Sequence, residues 1–356
     1  MMDKLKEAIR NVNIDTPKPN QLYYKAYYAA GLLLHPRRAI NLLKYKAAKF
    51  SPSVDYLPMV MDIEPTQRCN YRCSMCITGS MNAKRPDMTF EAFRRILDEQ
   101  YGLMEVKIQG VGEPLLNKDF FRMIDYAKKK LLWVRTTTNG SLLHVGDNYR
   151  KLVDSRVHDV NISIDGCTSE VYEAIRIGGD LERIMANCRL INAYNNKARK
   201  TTVRAWAVLQ KGNLHQFFDF PRFFADLGFK EMALSFAMHN YGREGTNAEA
   251  ADFSYTEEDI RRIAGLAREA GIKMFFWFHP GFPGNAFCQI PFGRIYVTTD
   301  GHIIPCCYIA NQEVVDFGEY GDFKKIWFED YTGFRERVKG KNPPPAFCRQ
   351  CHGGDR

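Results

Sequence analysis

From residue 59 onward the chain repeats one alternation: a short apolar run, then a longer stretch with apolar residues three and four apart. The runs MVMDIEPT, EVKIQGV, LWVRTTTNG, DVNISIDG, TTVRAWAVLQ and EMALSFAM read as strands. The intervening TFEAFRRILDEQY, KDFFRMIDYAKKK, a segment near 146–156, LERIMANCRLINAYNN, LHQFFDFPRFFADLG and TEEDIRRIAGLAREAG read as helices, the first capped by Thr89. Six βα units in succession predict a parallel sheet with helices outside it, and six fall short of the eight that close a barrel. The expected fold class is α/β, a partial (β/α)6 barrel over residues 59–280 with a small C-terminal hairpin/helix extension over 281–356.

The extension begins where the alternation stops, after Phe287. GRIYVTTDGHIIPCC carries two β-rich runs around Asp300-Gly301, a hairpin signal. A short helix, DFKKIWFED, follows, and then a Pro- and Gly-rich tail with Cys348 and Cys351. So small a segment is expected to need a metal site as a staple.

Residues 1–58 form a third segment, helical, basic and aromatic-rich. They hold ten Lys/Arg against four Asp/Glu, so +6 of the net charge of +9 precedes the barrel. Within it, Leu22 to Leu34 is apolar but interrupted by Lys25, and too short to span a bilayer. Two readings remain: a helix docked on the protein's own core, or an interfacial helix with its tyrosines near headgroups and Arg37, Arg38 and Lys44 facing an anionic membrane surface. The first twenty residues show no continuous apolar stretch of the signal-peptide kind, so a cytoplasmic location is expected. In a reducing compartment ten cysteines in 356 residues point to ligands or catalysts rather than disulfides.

Three of them, Cys69, Cys73 and Cys76, follow the first predicted strand at spacing C-x3-C-x2-C. That is the edge of a βα sheet where active sites form. Thiolates select zinc or iron–sulfur, and zinc would want a fourth protein ligand close by. A [4Fe–4S] cube held by three thiolates keeps one iron open for a small molecule.

C-x3-C-x2-C after the first strand of a six-unit βα array resembles the radical S-adenosylmethionine (SAM) superfamily. GVGEP (Gly110, Gly112, Glu113, Pro114) resembles that family's Gly-Gly-Glu-Pro stretch, which holds the methionine amine of SAM, with Val111 between the two glycines. TTNG (Thr138, Asn139) and SIDG (Ser163, Asp165) resemble segments near the ribose and carboxylate of SAM, and Arg176 is a further candidate for the carboxylate. Chemically, Glu113 accepts from an ammonium, and Asn139, Ser163 and Asp165 offer amide, hydroxyl and carboxylate groups. Met75 stands where the family often has an aromatic residue before the third cysteine, and its polarisable side chain can cover an adenine.

A second set, Cys288, Cys306, Cys348 and Cys351, can close around zinc or a full [4Fe–4S] cluster. In context it resembles the SPASM/twitch extension of radical SAM enzymes, in its single-cluster form. Cys306 and Cys307 compete for one ligand position. Cys307 is also a candidate hydrogen-atom donor, Cys188 reads as core, and Cys167 lies near the predicted SAM edge. The eight histidines show no metal spacing.

The resemblance implies an enzyme of oxidoreductase or epimerase type. It would cleave SAM reductively and abstract a hydrogen atom from a substrate C–H bond, with an auxiliary [4Fe–4S] cluster supporting oxidation, bond formation or epimerisation. The implied partners are a sugar- or aminocyclitol-like small molecule or a peptide, and an electron donor such as flavodoxin or ferredoxin. A maturase acting on a partner protein shares this chemistry. The rival of another class is a zinc-stabilised nucleic-acid-binding protein. Against it, the charge gathers at one terminus and the βα core carries Glu113 and Asp165, so no nucleic-acid partner is expected.

Overall fold

A computed structural model describes residues 2–14, 21–79, 86–198, 201–236, 241, 254–278, 287–340 and 345–348. Seven parallel strands are laid down in chain order: β1 (Val60–Ile63), β2 (Glu105–Ile108), β3 (Trp133–Thr138), β4 (Asp159–Ser163), β5 (Thr202–Val208), β6 (Glu231–Ser235) and β7 (Lys273–Trp277). β8 (Arg294–Val297) then returns to the opposite edge and pairs parallel to β1, and β9 (Ile303–Ile304) pairs antiparallel to β8. The order is β7-β6-β5-β4-β3-β2-β1-β8-β9, an open and mostly parallel sheet. The α/β fold class is the expected one.

The alternation within each strand sorts the side chains by chemistry. One face carries Met61, Ile63, Val106, Ile108, Val134, Val160, Ile162, Ala205, Ala207, Met232, Leu234 and Phe276, all buried. Helices cover this face, among them α4 (Phe90–Glu99) with Phe93, Ile96 and Leu97, and α5 (Phe120–Lys129) with Met123, Ile124 and Ala127. Each such aliphatic side chain contributes roughly 1.5–3 kcal/mol when removed from water. The other face carries Asp62, Glu64, Glu105, Lys107, Arg135, Asp159, Asn161, Ser163, Arg204 and Arg294. Side chains from β2 through β8 on this face line one cavity of about 240 Å³, so the sheet curls around it as a partial barrel.

Local signals set the helices. Thr89 caps α4, its hydroxyl accepting from the Ala92 amide at 3.2 Å. A capping box of Thr256 and Asp259 opens α10 (Glu257–Glu269). Three elements differ from expectation. The stretch 214–228 is a 3-10 turn (Leu214–Gln216) followed by α9 (Phe220–Asp226), because Pro221 fits only the first turn of a helix. A short helix, α7 (Ser169–Ile175), capped by Thr168, precedes α8 (Leu181–Ala198). The parallel strand β7 makes seven where six were expected.

The C-terminal hairpin also departs from expectation, since β8 extends the barrel sheet. Behind it Trp327, Tyr331 and Phe334 continue the same core, and Arg335 is fully buried, donating to the carbonyls of Pro291 and Trp327. The Asp300-Gly301 turn is as expected, with Gly301 at φ +86°.

At the N-terminus, α1 (Met2–Asn11) buries Leu5, Ala8 and Ile9. α2 (Gln21–Leu34) lays Tyr24 and Tyr27 edge-on to Trp133, at the N-terminal end of β3, with ring centroids 4.8 and 5.9 Å away. In α3 (Pro36–Ala47), Arg38 is buried and donates to the carbonyls of Lys130 and Leu131. The tyrosines and Arg38 therefore dock on the barrel and do not face outward as the interfacial reading had them.

Candidate functional site

The loop after β1 carries Cys69, Cys73 and Cys76 to the C-terminal edge of the sheet, where all three line the cavity. The thiols are close enough to feel one another's charge, and burial pushes Cys69 up to about 12 and raises Cys73 as well. Met75, Gly110, Gly112, Glu113, Thr138, Asn139, Ser163 and Arg176 line the same cavity.

Two glycines are required by close approach. A Cβ on Gly110 would lie 2.3 Å from Glu64 Cγ, and one on Gly112 would lie 2.3 Å from the Thr66 carbonyl oxygen. They let the loop after β2 fold against the chain that leads to the cysteines. Glu113, buried, ties this loop to the next strand. Its Oε1 accepts from the Thr138 hydroxyl at 2.6 Å and its Oε2 from the Asn139 amide at 2.7 Å. Oε2 accepts only this one bond among the described residues, which leaves capacity toward the cavity.

Arg176 donates through Nε to Asp165 at 2.6 Å and through Nη1 to Cys73 Sγ at 3.7 Å. Asp165 corrects an expectation. It is fully buried, its second oxygen accepts from the Val208 amide at 2.7 Å, and it does not line the cavity. A carboxylate spent on a guanidinium and a backbone amide is a positioning group for Arg176, not a ribose contact. Pro114 likewise opens a 3-10 turn away from the cavity.

Cys307 lines this same cavity, its Sγ 3.6 Å from Nη2 of Arg294. Cys306 packs against the main apolar core and lies with Cys348 beside Tyr331, whereas Cys288 lies close enough to Cys307 and Arg294 to feel their charge. Cys351 lies outside the described residues. Cys188 is core, fully buried, and Cys167 is partly buried against the same core without lining the cavity, its amide donating to Gln216 at 2.7 Å.

Sequence reasoning missed Lys107, Gln109, Arg135, Trp206, Trp277, Arg294 and Tyr296 as cavity-lining residues, and Glu64 as the buried carboxylate behind them. Glu64 accepts from the Gln67 amide, the Val111 backbone and the Tyr296 hydroxyl, which locks β1, β2 and β8 together. A signal was present: polar residues recur at every second position of strands such as EVKIQ and DVNIS. A parallel sheet covered on both faces by apolar groups would not show that.

Residues 63–210 match the radical SAM superfamily model, and residues 288–352 match the model of an iron–sulfur cluster-binding domain, SPASM. The chain belongs to the radical SAM superfamily. Its relatives include the GTP 3′,8-cyclase of Aliarcobacter butzleri, 26% identical over 282 residues, which cover 74% of this chain and 83% of that one. The mycofactocin maturase MftC of Mycolicibacterium smegmatis is 30% identical over 172 residues, 48% of this chain and 43% of its own. Among solved structures, Streptococcus suis SuiB bound to S-adenosylmethionine aligns with TM-score 0.62 at 19% identity, covering 82% of this chain and 70% of that one. It shares the fold.

A radical SAM enzyme with a SPASM-type domain uses SAM and two iron–sulfur clusters. The residues present fit that requirement. Three thiols face one cavity, and polar groups of three successive strand ends converge beside them. Among the described residues no three His, Cys, Asp or Glu side chains converge as a mononuclear metal ion needs. The nucleic-acid-binding alternative gives way to the family assignment.

Proposed function

We propose that Cys69, Cys73 and Cys76 hold the SAM-binding [4Fe–4S] cluster, and that Cys288, Cys306, Cys348 and Cys351 hold the auxiliary one. When loaded, the site supplies reductive cleavage of SAM and hydrogen abstraction from a substrate C–H bond. The chain's own residues position and shield. Met75 covers the adenine, and Gly110, Gly112 and Glu113 take the methionine amine. Thr138, Asn139 and Ser163 face the ribose, and Arg176, braced by Asp165, faces the carboxylate. Residues 1–58, 59–280 and 281–356 serve as N-terminal segment, SAM barrel and auxiliary-cluster unit.

The observation that carries this reading is that one cavity brings the cysteine triplet, the SAM-type loops and Cys307 together. The substrate enters the polar inner face of the barrel, which suits a sugar- or aminocyclitol-like molecule or a polar peptide side chain. The relatives include a GTP 3′,8-cyclase and a mycofactocin maturase, so the family takes more than one substrate class. Cys307, partly buried and lining the cavity, is our candidate to return a hydrogen atom to the substrate, which would give epimerisation. Without that return, a cluster held by the second cysteine set would supply an electron acceptor for oxidation or formation of a new bond. A flavodoxin or ferredoxin supplies the reducing electron.

The test is anaerobic reconstitution followed by iron and sulfide counting, then dithionite with SAM. About eight irons per chain, as two [4Fe–4S] clusters require, together with 5′-deoxyadenosine, are expected. Cys73→Ala should abolish SAM cleavage. Retained cleavage would overturn the assignment of the triplet.

The outward faces of α2 and α3 support a second contact. Leu22, Leu33, Leu34, Ile40 and Leu43 are each more than half exposed. Residues 21–54 hold six Lys/Arg and no Asp/Glu. No helix among the described residues is long and apolar enough to cross a membrane. An apolar face within an all-cationic stretch fits an anionic lipid surface, and we assign it that role.

A further inference from the structure

The inner face of the barrel sheet is a ladder of ion pairs with one member left over. Arg294 donates to both oxygens of Asp62, at 2.6 and 2.7 Å. Arg135 meets Glu105 at 3.1 Å and Asp159 at 3.5 Å. Arg204 meets Glu231 at 2.7 Å. Lys107 lies among them on β2, in register with Asp62 on one side and Arg135 on the other. Its ammonium makes no hydrogen bond or ion pair among the described residues, although it lines the cavity. Asp62, the nearest acid in register, is occupied by Arg294.

We propose that Lys107, flanked by Arg135 and Arg294, is an anion-binding floor of the cavity, and that the substrate carries a carboxylate or phosphate group there. This rests on the reading that the cavity receives the substrate. A partly buried ammonium beside two guanidiniums, with no counter-ion of its own among the described residues, is unfavourable unless something negative joins it. Burial, then Arg294 and Arg135, push Lys107 down to about 8, the direction expected of a cation held without an anion. The flanking guanidiniums are fixed by their own carboxylates, so the site is pre-organised and loses little entropy on binding. The position also matters. Lys107 is on the same strand as the loop carrying Gly110, Gly112 and Glu113, and Cys307 lies beside Arg294. An anionic group held at Lys107 would anchor the substrate between the SAM edge and the Cys307 thiol.

The experiment uses the full chain with its clusters reconstituted, anaerobically and without SAM. Pyridoxal 5′-phosphate, a lysine-reactive aldehyde with an anionic group, is compared with uncharged pyridoxal. Borohydride then fixes the adducts, and the modified lysines are mapped by mass spectrometry. Lys107 should react at least about tenfold faster with the phosphorylated reagent, the effect of one good charge-assisted contact. Inorganic phosphate should protect it if the natural group is a phosphate, and malonate if it is a carboxylate. Equal rates with the two reagents, labelling confined to other lysines, or protection by neither anion would overturn the proposal. The labelling needs no SAM cleavage. A 5′-deoxyadenosine assay on the same preparation therefore separates failure of this inference from failure of the radical SAM site.

Discussion

Cys307 Sγ lies 3.6 Å from Nη2 of Arg294, a guanidinium already clamped by both oxygens of Asp62. Cys307 thus lines the cavity, while Cys306, its neighbour in sequence, lies with Cys348 beside Tyr331. Adjacent cysteines pointing into different compartments can be told apart by metal content. Cys306→Ala should lower iron by about four atoms per chain, the complement of one [4Fe–4S] cluster, and Cys307→Ala should leave it unchanged. Iron lost from Cys307→Ala instead would make Cys307 the ligand and remove it as a hydrogen donor.

Gly112 is the tightest backbone junction of the site. A methyl group there would meet the carbonyl oxygens of Thr66 at 2.3 Å and Arg68 at 2.6 Å, and neither can swing aside as a side chain would. The Arg68 oxygen also accepts from the Glu113 amide at 2.8 Å. Gly112→Ala should cost about 1–3 kcal/mol in stability, as overpacking does, and weaken SAM binding by disturbing the approach to Cys69. Gly321→Ala, with no heavy atom within 4 Å of its added methyl, is the control and should stay within about 0.5 kcal/mol. A Gly112→Ala protein with the wild-type urea midpoint and SAM affinity would show that the loop yields.

Much of this was legible in the chain, and the omissions have physical causes. Thr89, the C-x3-C-x2-C loop and the alternation of DVNIS are local signals, and the elements they mark are present. The aromatic KMFFW of β7 has no clear period, so it did not announce a strand. The pairing of β8 with β1 joins residues far apart, as in the Arg294–Asp62 contact across 232 positions, and no local pattern encodes that. Asp165 belongs to a motif that suggests a ligand. Only the fold shows its oxygens spent on Arg176 and Val208.

The α2–α3 face predicts lipid binding that depends on both charge and apolar surface. The full chain should pellet with phosphatidylglycerol-containing vesicles, pellet poorly with pure phosphatidylcholine, and release as salt rises. Leu33→Glu and Leu43→Glu, both at exposed positions, should reduce the bound fraction about tenfold, the scale of losing one inserted leucine. Equal binding to both vesicle types, or none to either, would reject an anionic lipid surface. A dimer that Leu33→Glu disperses would make the face a contact between copies of the chain.

At the opposite end of the barrel, α2 docks on Trp133 and His158. His158 stacks on Trp133 at 4.0 Å, accepts from the Val134 amide through Nδ1 at 2.8 Å, and lies 2.7 Å from Lys128 Nζ through Nε2. Burial, and then the Lys128 charge, push its pKa down to about 3, against the backbone bond that raises it. The native ring therefore stays neutral where an unfolded histidine, titrating near 6.5, takes a proton. As pH falls below about 6.5 the unfolded state binds more protons than the native state, so stability falls, by at most roughly 1.4 kcal/mol per pH unit, down to about pH 3. Above pH 6.5 this residue adds no slope. His158→Gln keeps an acceptor for the Val134 amide but cannot titrate. The stability gap between wild type and His158→Gln should then shift in favour of the variant as pH falls from 6.5 to 5, read from urea midpoints. A gap that stays constant over that range would mean that the native ring takes its proton as readily as the unfolded one, and that the Trp133–His158 stack does not hold it neutral.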